Sequence, residues 1–149
     1  MPDLDHQHFM QLAIEEGEAG IAEGNRPIGS VIVRDGNVIA TGRNTVNKDG
    51  DPTNHAETVA IRDACQRFST VELPGTTLYT TMEPCPMCLW VIAMTKIDRL
   101  VMGARHADFQ PHNYGTYTVE ELLSLTGQHV EVLNDVLRPE CIALRDVDT

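Results

Sequence analysis

Two short segments constrain this chain more than any others: His55-Ala56-Glu57 and, one predicted helix and one strand later, Pro84-Cys85-Pro86-Met87-Cys88. One imidazole and two thiolates make three ligands for Zn²⁺, and a tetrahedral ion then keeps one position open for water. A closed structural site would need a fourth ligand. Each segment lies where a loop or strand meets the start of a helix, so the fold must bring two helix starts to one point. Their positive ends then favour thiolate over thiol at Cys85 and Cys88. Glu57, two residues after the histidine, is not needed as a ligand and is placed to shuttle protons beside the water. A lone Cys-x-x-Cys leaves redox chemistry, structural zinc and coincidence open, and a lone His-x-Glu carries almost nothing. Joined at this spacing they point to a metal site of His55, Cys85 and Cys88 with Glu57 as the catalytic acid–base.

Around that pattern the chain reads as alternating elements. Asp5 caps a first helix over roughly residues 6–23, with Phe9, Leu12, Ala13 and Ala19 on or near one face, and Gly24-Asn25 ends it. Ile28–Val33 is a strand by its β-branched run, and Asp35-Gly36-Asn37 turns it back into Val38–Thr41. Asn44 to Asn54 is a polar loop, His55 to about Arg67 a helix, Thr76–Thr81 a strand, Pro84 to about Thr95 a second central helix and Asp98–Gly103 a strand. Ala104–Tyr117 reads as a long irregular loop. Thr118 caps a short helix to Leu125, with Glu121 at the reciprocal capping position. Val130–Leu133 is the last strand and Pro139–Val147 the last helix. A hairpin followed by alternating helices and strands predicts an α/β sandwich around a mixed sheet of about five strands. Residues 1–149 are expected to form it as one domain, their 42% apolar content sufficing for a core.

The longest apolar runs, such as Val31–Val33 and Leu89–Met94, are far too short to span a bilayer. Met1-Pro2-Asp3 opens without the basic and apolar regions of a secretory signal, so a cytoplasmic protein with no membrane partner is expected. The formal net charge is −11, from 22 acidic and 11 basic residues, and the basic ones are scattered singly. A protein that grips a phosphate backbone needs clustered Lys and Arg to replace its counterions. The balance therefore argues against nucleic acid as a partner, although one basic groove can hide in an acidic sum.

The motif residues, together with Pro27-Ile28-Gly29-Ser30-Val31-Ile32-Val33, Gly42-Arg43-Asn44, Asp51-Pro52-Thr53-Asn54-His55-Ala56-Glu57 and Thr77-Leu78-Tyr79-Thr80-Thr81-Met82-Glu83-Pro84-Cys85, match in order over nearly the whole chain. They resemble the cytidine-deaminase superfamily, in the branch that holds cytosine, guanine and tRNA adenosine deaminases. The resemblance implies a three-layer α/β/α sandwich that is dimeric or larger, and a zinc-dependent hydrolytic deaminase. It makes His55, Cys85 and Cys88 the zinc ligands and Glu57 the proton shuttle. It implies that Asn44 contacts the base and that the backbone carbonyl of Glu83 accepts from the leaving amino group. Relatives commonly carry Gly two residues after the second cysteine, where this chain has Trp90. Leu137–Leu144 resembles the closing helix of the tRNA enzymes, which usually run on into a basic tail, whereas this chain stops at Arg145-Asp146-Val147-Asp148-Thr149.

That ending and the charge make a small heterocyclic amine the expected substrate, a free nucleobase or a related ring such as a triazine. Adenosine in tRNA is the alternative, and a non-catalytic zinc-binding subunit stands against both. Phe109, His112 and Tyr114 are candidates to cover the site from the long loop, or to pack on a neighbouring subunit. Trp90 reads either as a wall of the pocket or as core or subunit packing. Asn44 also suits a turn after the hairpin. His6 and His8 read as solvated first-turn residues, and Cys65 and Cys141 as small buried thiols.

Overall fold

The computed structural model describes residues 5–146. The expectations resting on the first and last few residues, an opening without a signal sequence and an acidic end, lie outside the described residues. The elements are α1 (His6–Ile21), β1 (Gly29–Arg34), β2 (Asn37–Arg43), α2 (Val46–Asp49), α3 (Ala56–Arg67), β3 (Thr76–Met82), α4 (Pro86–Met94), β4 (Arg99–Ala104), α5 (Val119–Thr126), β5 (Glu131–Leu133) and α6 (Arg138–Asp146), with a 3₁₀ turn at His106–Asp108. Among the described residues no helix is long and apolar enough to cross a membrane.

The caps act where sequence chemistry places them. Asp5 accepts from His8 N at 3.0 Å, and Thr118 Oγ1 accepts from Glu121 N at 3.1 Å. The polar stretch after β2 folds into the single turn of α2, and the loop after β4 begins with the 3₁₀ turn. His6 departs from expectation: its Nδ1 pairs with the hydroxyl of buried Tyr79 at 2.7 Å, because α1 lies flat on the sheet.

The sheet order is β2-β1-β3-β4-β5. β1 is antiparallel to both β2 and β3, while β3, β4 and β5 run parallel, as crossovers through α4 and α5 require. Both faces are covered. Val31, Val33, Tyr79 and Val101 belong to one core with Met10, Ala13 and Ile14 of α1 and Leu144 of α6. Ile32, Leu78, Leu100 and Met102 belong to the other, with Ala60 and Ile61 of α3, Leu89 and Ile92 of α4 and Leu123 of α5. Coverage on both sides explains why β1 shows no polar alternation. Each fully buried Leu, Ile or Met contributes roughly 1.5–3 kcal/mol over an exposed one.

This register gathers several chain segments at one end of the sheet. The antiparallel pairing sets Gly29 opposite Arg43, so Ile28 and Asn44 are neighbours, and Asn44 N donates to Ile28 O at 3.1 Å. Gly29 N in turn donates to Thr81 Oγ1 at 3.2 Å, near the carboxyl end of β3. Glu83–Cys85 leave that end of β3, and Arg105–His106 leave the same end of its parallel neighbour β4. Gly42 lets α3 descend onto β2, since a Cβ there would lie 2.2 Å from Ala56 O. The start of α3 is thereby held against the same end.

Candidate active site

The starts of α3 and α4 meet at this end. His55 is the N-cap of α3 and Cys85 the N-cap of α4, with Pro86 in the first turn, where a missing N–H costs nothing. His55 Nδ1 lies 3.4 Å from Cys85 Sγ and 3.5 Å from Cys88 Sγ. For zinc held tetrahedrally with usual bond lengths, an N···S separation of about 3.6 Å is required. The three donor atoms all lie within 4.8 Å of one another, so the group is able to hold the ion.

Protonation in this cluster follows from burial and mutual contact. A hydrogen bond from Cys88, reinforced by His55, lowers the Cys85 thiol to about 4. The same contact and burial push the Cys88 thiol up. Without a cation the pair therefore shares one proton, and a divalent ion is what allows both sulfurs to be thiolates. The Cys85 contact raises His55. Glu57, in the first turn of α3, is 4% exposed, and burial pushes its carboxyl up to about 7. A carboxyl titrating there suits a group that must take and return a proton near neutral pH.

A pocket of about 470 Å³ opens over this group, lined by His55, Glu57 and Cys85 together with Asn44, Glu83, Phe109 and His112. Eight of the nine residues singled out from sequence thus belong to one site, Cys88 lying beneath it in the ligand group. Trp90 is the exception and is corrected: it sits 41% exposed on α4 beside similarly exposed Met87 and Met94, outside the pocket lining. The turn of α4 that aims Cys88 inward points Trp90 elsewhere, because two residues along a helix is about 200° of rotation. Asn44 bears out its turn reading and also stands at the pocket: its Oδ1 accepts from Val46 N at 3.0 Å to shape the turn after β2.

Glu83 does more than its backbone suggests. Its buried carboxylate accepts from His106 N and Val119 N, each at 3.0 Å, and from Arg105 Nη2 at 3.2 Å. It thereby ties the segment after β4 and the start of α5 to the turn that carries Cys85. Tyr117 adds a bond from its hydroxyl to Pro84 O at 2.7 Å. Sequence reading had no role for His106, Arg26 or Arg145, which also line the pocket. For His106 a signal existed: it follows the carboxyl end of a parallel strand, where open α/β sheets bind ligands.

Phe109 is half-buried at the pocket, with the Arg145 guanidinium 5.9 Å from its ring centroid. Phe109→Ala is expected to raise KM several-fold at unchanged zinc content, since the loss of an apolar wall weakens binding rather than chemistry. Steady-state kinetics with metal analysis check this. Unchanged kinetics would remove Phe109 from the substrate's surroundings.

Residues 4–104 match the family model of the cytidine and deoxycytidylate deaminase zinc-binding region. The chain belongs to this family. The deaminase is 35% identical over 135 residues to a tRNA-specific adenosine deaminase of Bacillus subtilis, covering 89% of this chain and 81% of that protein. It is 41% identical over 106 residues to the guanine deaminase of the same organism, covering 70% and 68%. A solved structure from studies of A-to-I editing by tRNA:A34 deaminases at the wobble position superposes with a TM-score of 0.82 at 35% identity, covering 92% of this chain and 98% of that one. The fold is the cytidine-deaminase sandwich, the cofactor is zinc, and the protein is a zinc-dependent hydrolytic deaminase.

These likenesses overturn one expectation. Four curated relatives matched along more than four fifths of both chains are tRNA-specific adenosine deaminases, so the free nucleobase as substrate, and the argument against a nucleic-acid partner, are corrected. Net charge is a weak guide to such a partner because it sums the whole surface. Arg26 and Arg145 both stand at the pocket, a local arrangement that the total of −11 does not register.

Proposed function

We propose that this deaminase converts adenosine to inosine within an RNA, with a tRNA anticodon loop as the substrate class. The end-to-end likeness to tRNA-specific deaminases carries the reading. The two guanidinium groups at the pocket support it, since an RNA loop must bring phosphates to that mouth. An extruded adenine needs an opening of this kind, with an aromatic wall and polar groups at its end.

His55, Cys85 and Cys88 are the residues that hold zinc in this reading. Once bound, zinc supplies a Lewis acid that makes water a competent nucleophile near neutral pH. Glu57 accepts the proton given up by the attacking water and delivers it to the ring nitrogen beside the amino-bearing carbon. It then mediates the second transfer, to the departing amine, and ammonia leaves. The Glu83 carbonyl orients the leaving amino group, and the Asn44 amide holds the base. Phe109, His112 and Tyr114 wall the ring and exclude water.

Ammonia release assayed with an anticodon stem-loop carrying adenosine at the wobble position, against free adenine, guanine and cytosine, tests the substrate. Turnover of the stem-loop at least ~100-fold above any free base in kcat/KM is expected, in keeping with binding energy drawn from the rest of the RNA. Faster turnover of free guanine would overturn the reading.

Arg26 supplies a second check. It is exposed at the pocket and has no ion-pair partner among the described residues. Arg26→Ala is expected to weaken stem-loop binding several-fold and to make the salt dependence shallower by about 0.7 in log Kd against log salt, one phosphate contact on a single strand. A titration between low and physiological salt measures both. An unchanged slope would take Arg26 off the RNA path.

A further inference from the structure

Among the described residues, both ring nitrogens of His106 are buried without a hydrogen-bond partner. The residue is 3% exposed and lines the active-site pocket beside Glu83 and Cys85. Its ring stacks on Tyr114, with centroids 3.8 Å apart and planes 19° from parallel, and Tyr117 and His112 flank it with centroids at 5.8 and 6.3 Å. The backbone is fixed as well, His106 N donating to Glu83 Oε1 at 3.0 Å. The Pro84 carbonyl, which accepts from the Tyr117 hydroxyl at 2.7 Å, stands near the ring but outside hydrogen-bond geometry with either nitrogen. Burial pulls the imidazole below its ordinary value, so near neutral pH it is uncharged and offers one donor and one acceptor.

Buried polar atoms with no partner weaken a fold, and nearly all are satisfied in native proteins. An imidazole held in one plane, unsatisfied at both nitrogens and set into the wall of a pocket, is arranged for a group that arrives from outside. We propose that His106 is a specificity-determining residue of the deaminase, whose ring nitrogens hydrogen-bond a polar edge of the bound substrate while Tyr114 fixes the plane of the ring. This rests on the reading that the pocket holds the deamination substrate, and not on that substrate being RNA. His112 lines the same pocket, but its Nδ1 already accepts from Tyr114 N at 3.2 Å, whereas His106 is the pocket residue among those described with buried, unpartnered side-chain nitrogens.

The test uses zinc-loaded protein carrying Glu57→Gln, so that the adenosine stem-loop binds without turning over and its Kd is measured at equilibrium. Adding His106→Phe keeps the stacked ring and removes only the nitrogens. The expected result is a Kd at least ~10-fold weaker, the loss of one good hydrogen bond, with zinc content unchanged. His106→Gln, which restores a donor and an acceptor, is expected to recover part of it. The thermal midpoint of free protein carrying His106→Phe should hold steady or rise by a few degrees, because a strained polar burial has been relieved. Unchanged affinity, or a midpoint that falls by several degrees, would overturn the proposal by showing that the nitrogens serve the fold. If the stem-loop fails to bind even the Glu57→Gln protein, the RNA reading fails alone. The same pair is then compared with guanine as the probe, and the thermal result decides for His106 in either case.

Discussion

Replacing Glu57 with glutamine is expected to lower deamination by about 10²–10⁴-fold while the fold and the zinc remain. Glutamine keeps the length and shape of a side chain that is 4% exposed in the first turn of α3, so packing against the pocket floor is preserved. The amide cannot accept the proton that the attacking water gives up, and it has no carboxyl that burial can tune to about 7. Binding of the stem-loop should survive, which separates this loss from one of recognition. Metal analysis, a melting curve and single-turnover kinetics on one preparation check all three statements. Near wild-type turnover would remove Glu57 from the proton path.

Cys88→Ala is expected to leave far less than one zinc per chain and to abolish activity below detection. The sulfur is fully buried, lies 3.5 Å from His55 Nδ1 and is approached at 3.3 Å by Thr58 Oγ1, so water has no ready route to replace it as a ligand. Loss of an outer partner of a metal ligand costs about 10–100-fold in affinity, and loss of a ligand itself exceeds that. Zinc measured after dialysis against a weak chelator decides the matter. Full occupancy in Cys88→Ala would mean that these three side chains are not the metal site.

The difference between the residues found from sequence and those missed has a local origin. His55, Glu57, Cys85 and Cys88 sit at helix starts, where short-range spacing sets the direction of each side chain. Two residues beyond Cys88 the same reasoning failed for Trp90, because only the packing of α4 against its neighbours settles which way that face turns. His106 was passed over since one histidine in an irregular loop carries no pattern. What distinguishes it, two unsatisfied nitrogens beneath a stacked tyrosine, is a property of its surroundings. Glu83 was assigned through its backbone, and its carboxylate ties came to light only when Arg105, His106 and Val119 were brought beside it.

Sequence by itself determined the alternating elements, the mixed five-stranded sheet, and the grouping of His55, Cys85 and Cys88 as a set able to hold a metal, with Glu57 beside it. The elements are encoded between near neighbours along the chain, through periodicity and caps, and the ligand set is carried by two short motifs at helix starts. Tertiary structure alone decided the strand order, the gathering of Asn44, Glu83 and His106 at one end of the sheet, and the placing of Arg26 and Arg145 at the pocket. These depend on distances between residues far apart in the chain. A net charge of −11 carries no information about where two positive groups stand, and a charged substrate responds to that local field rather than to the sum.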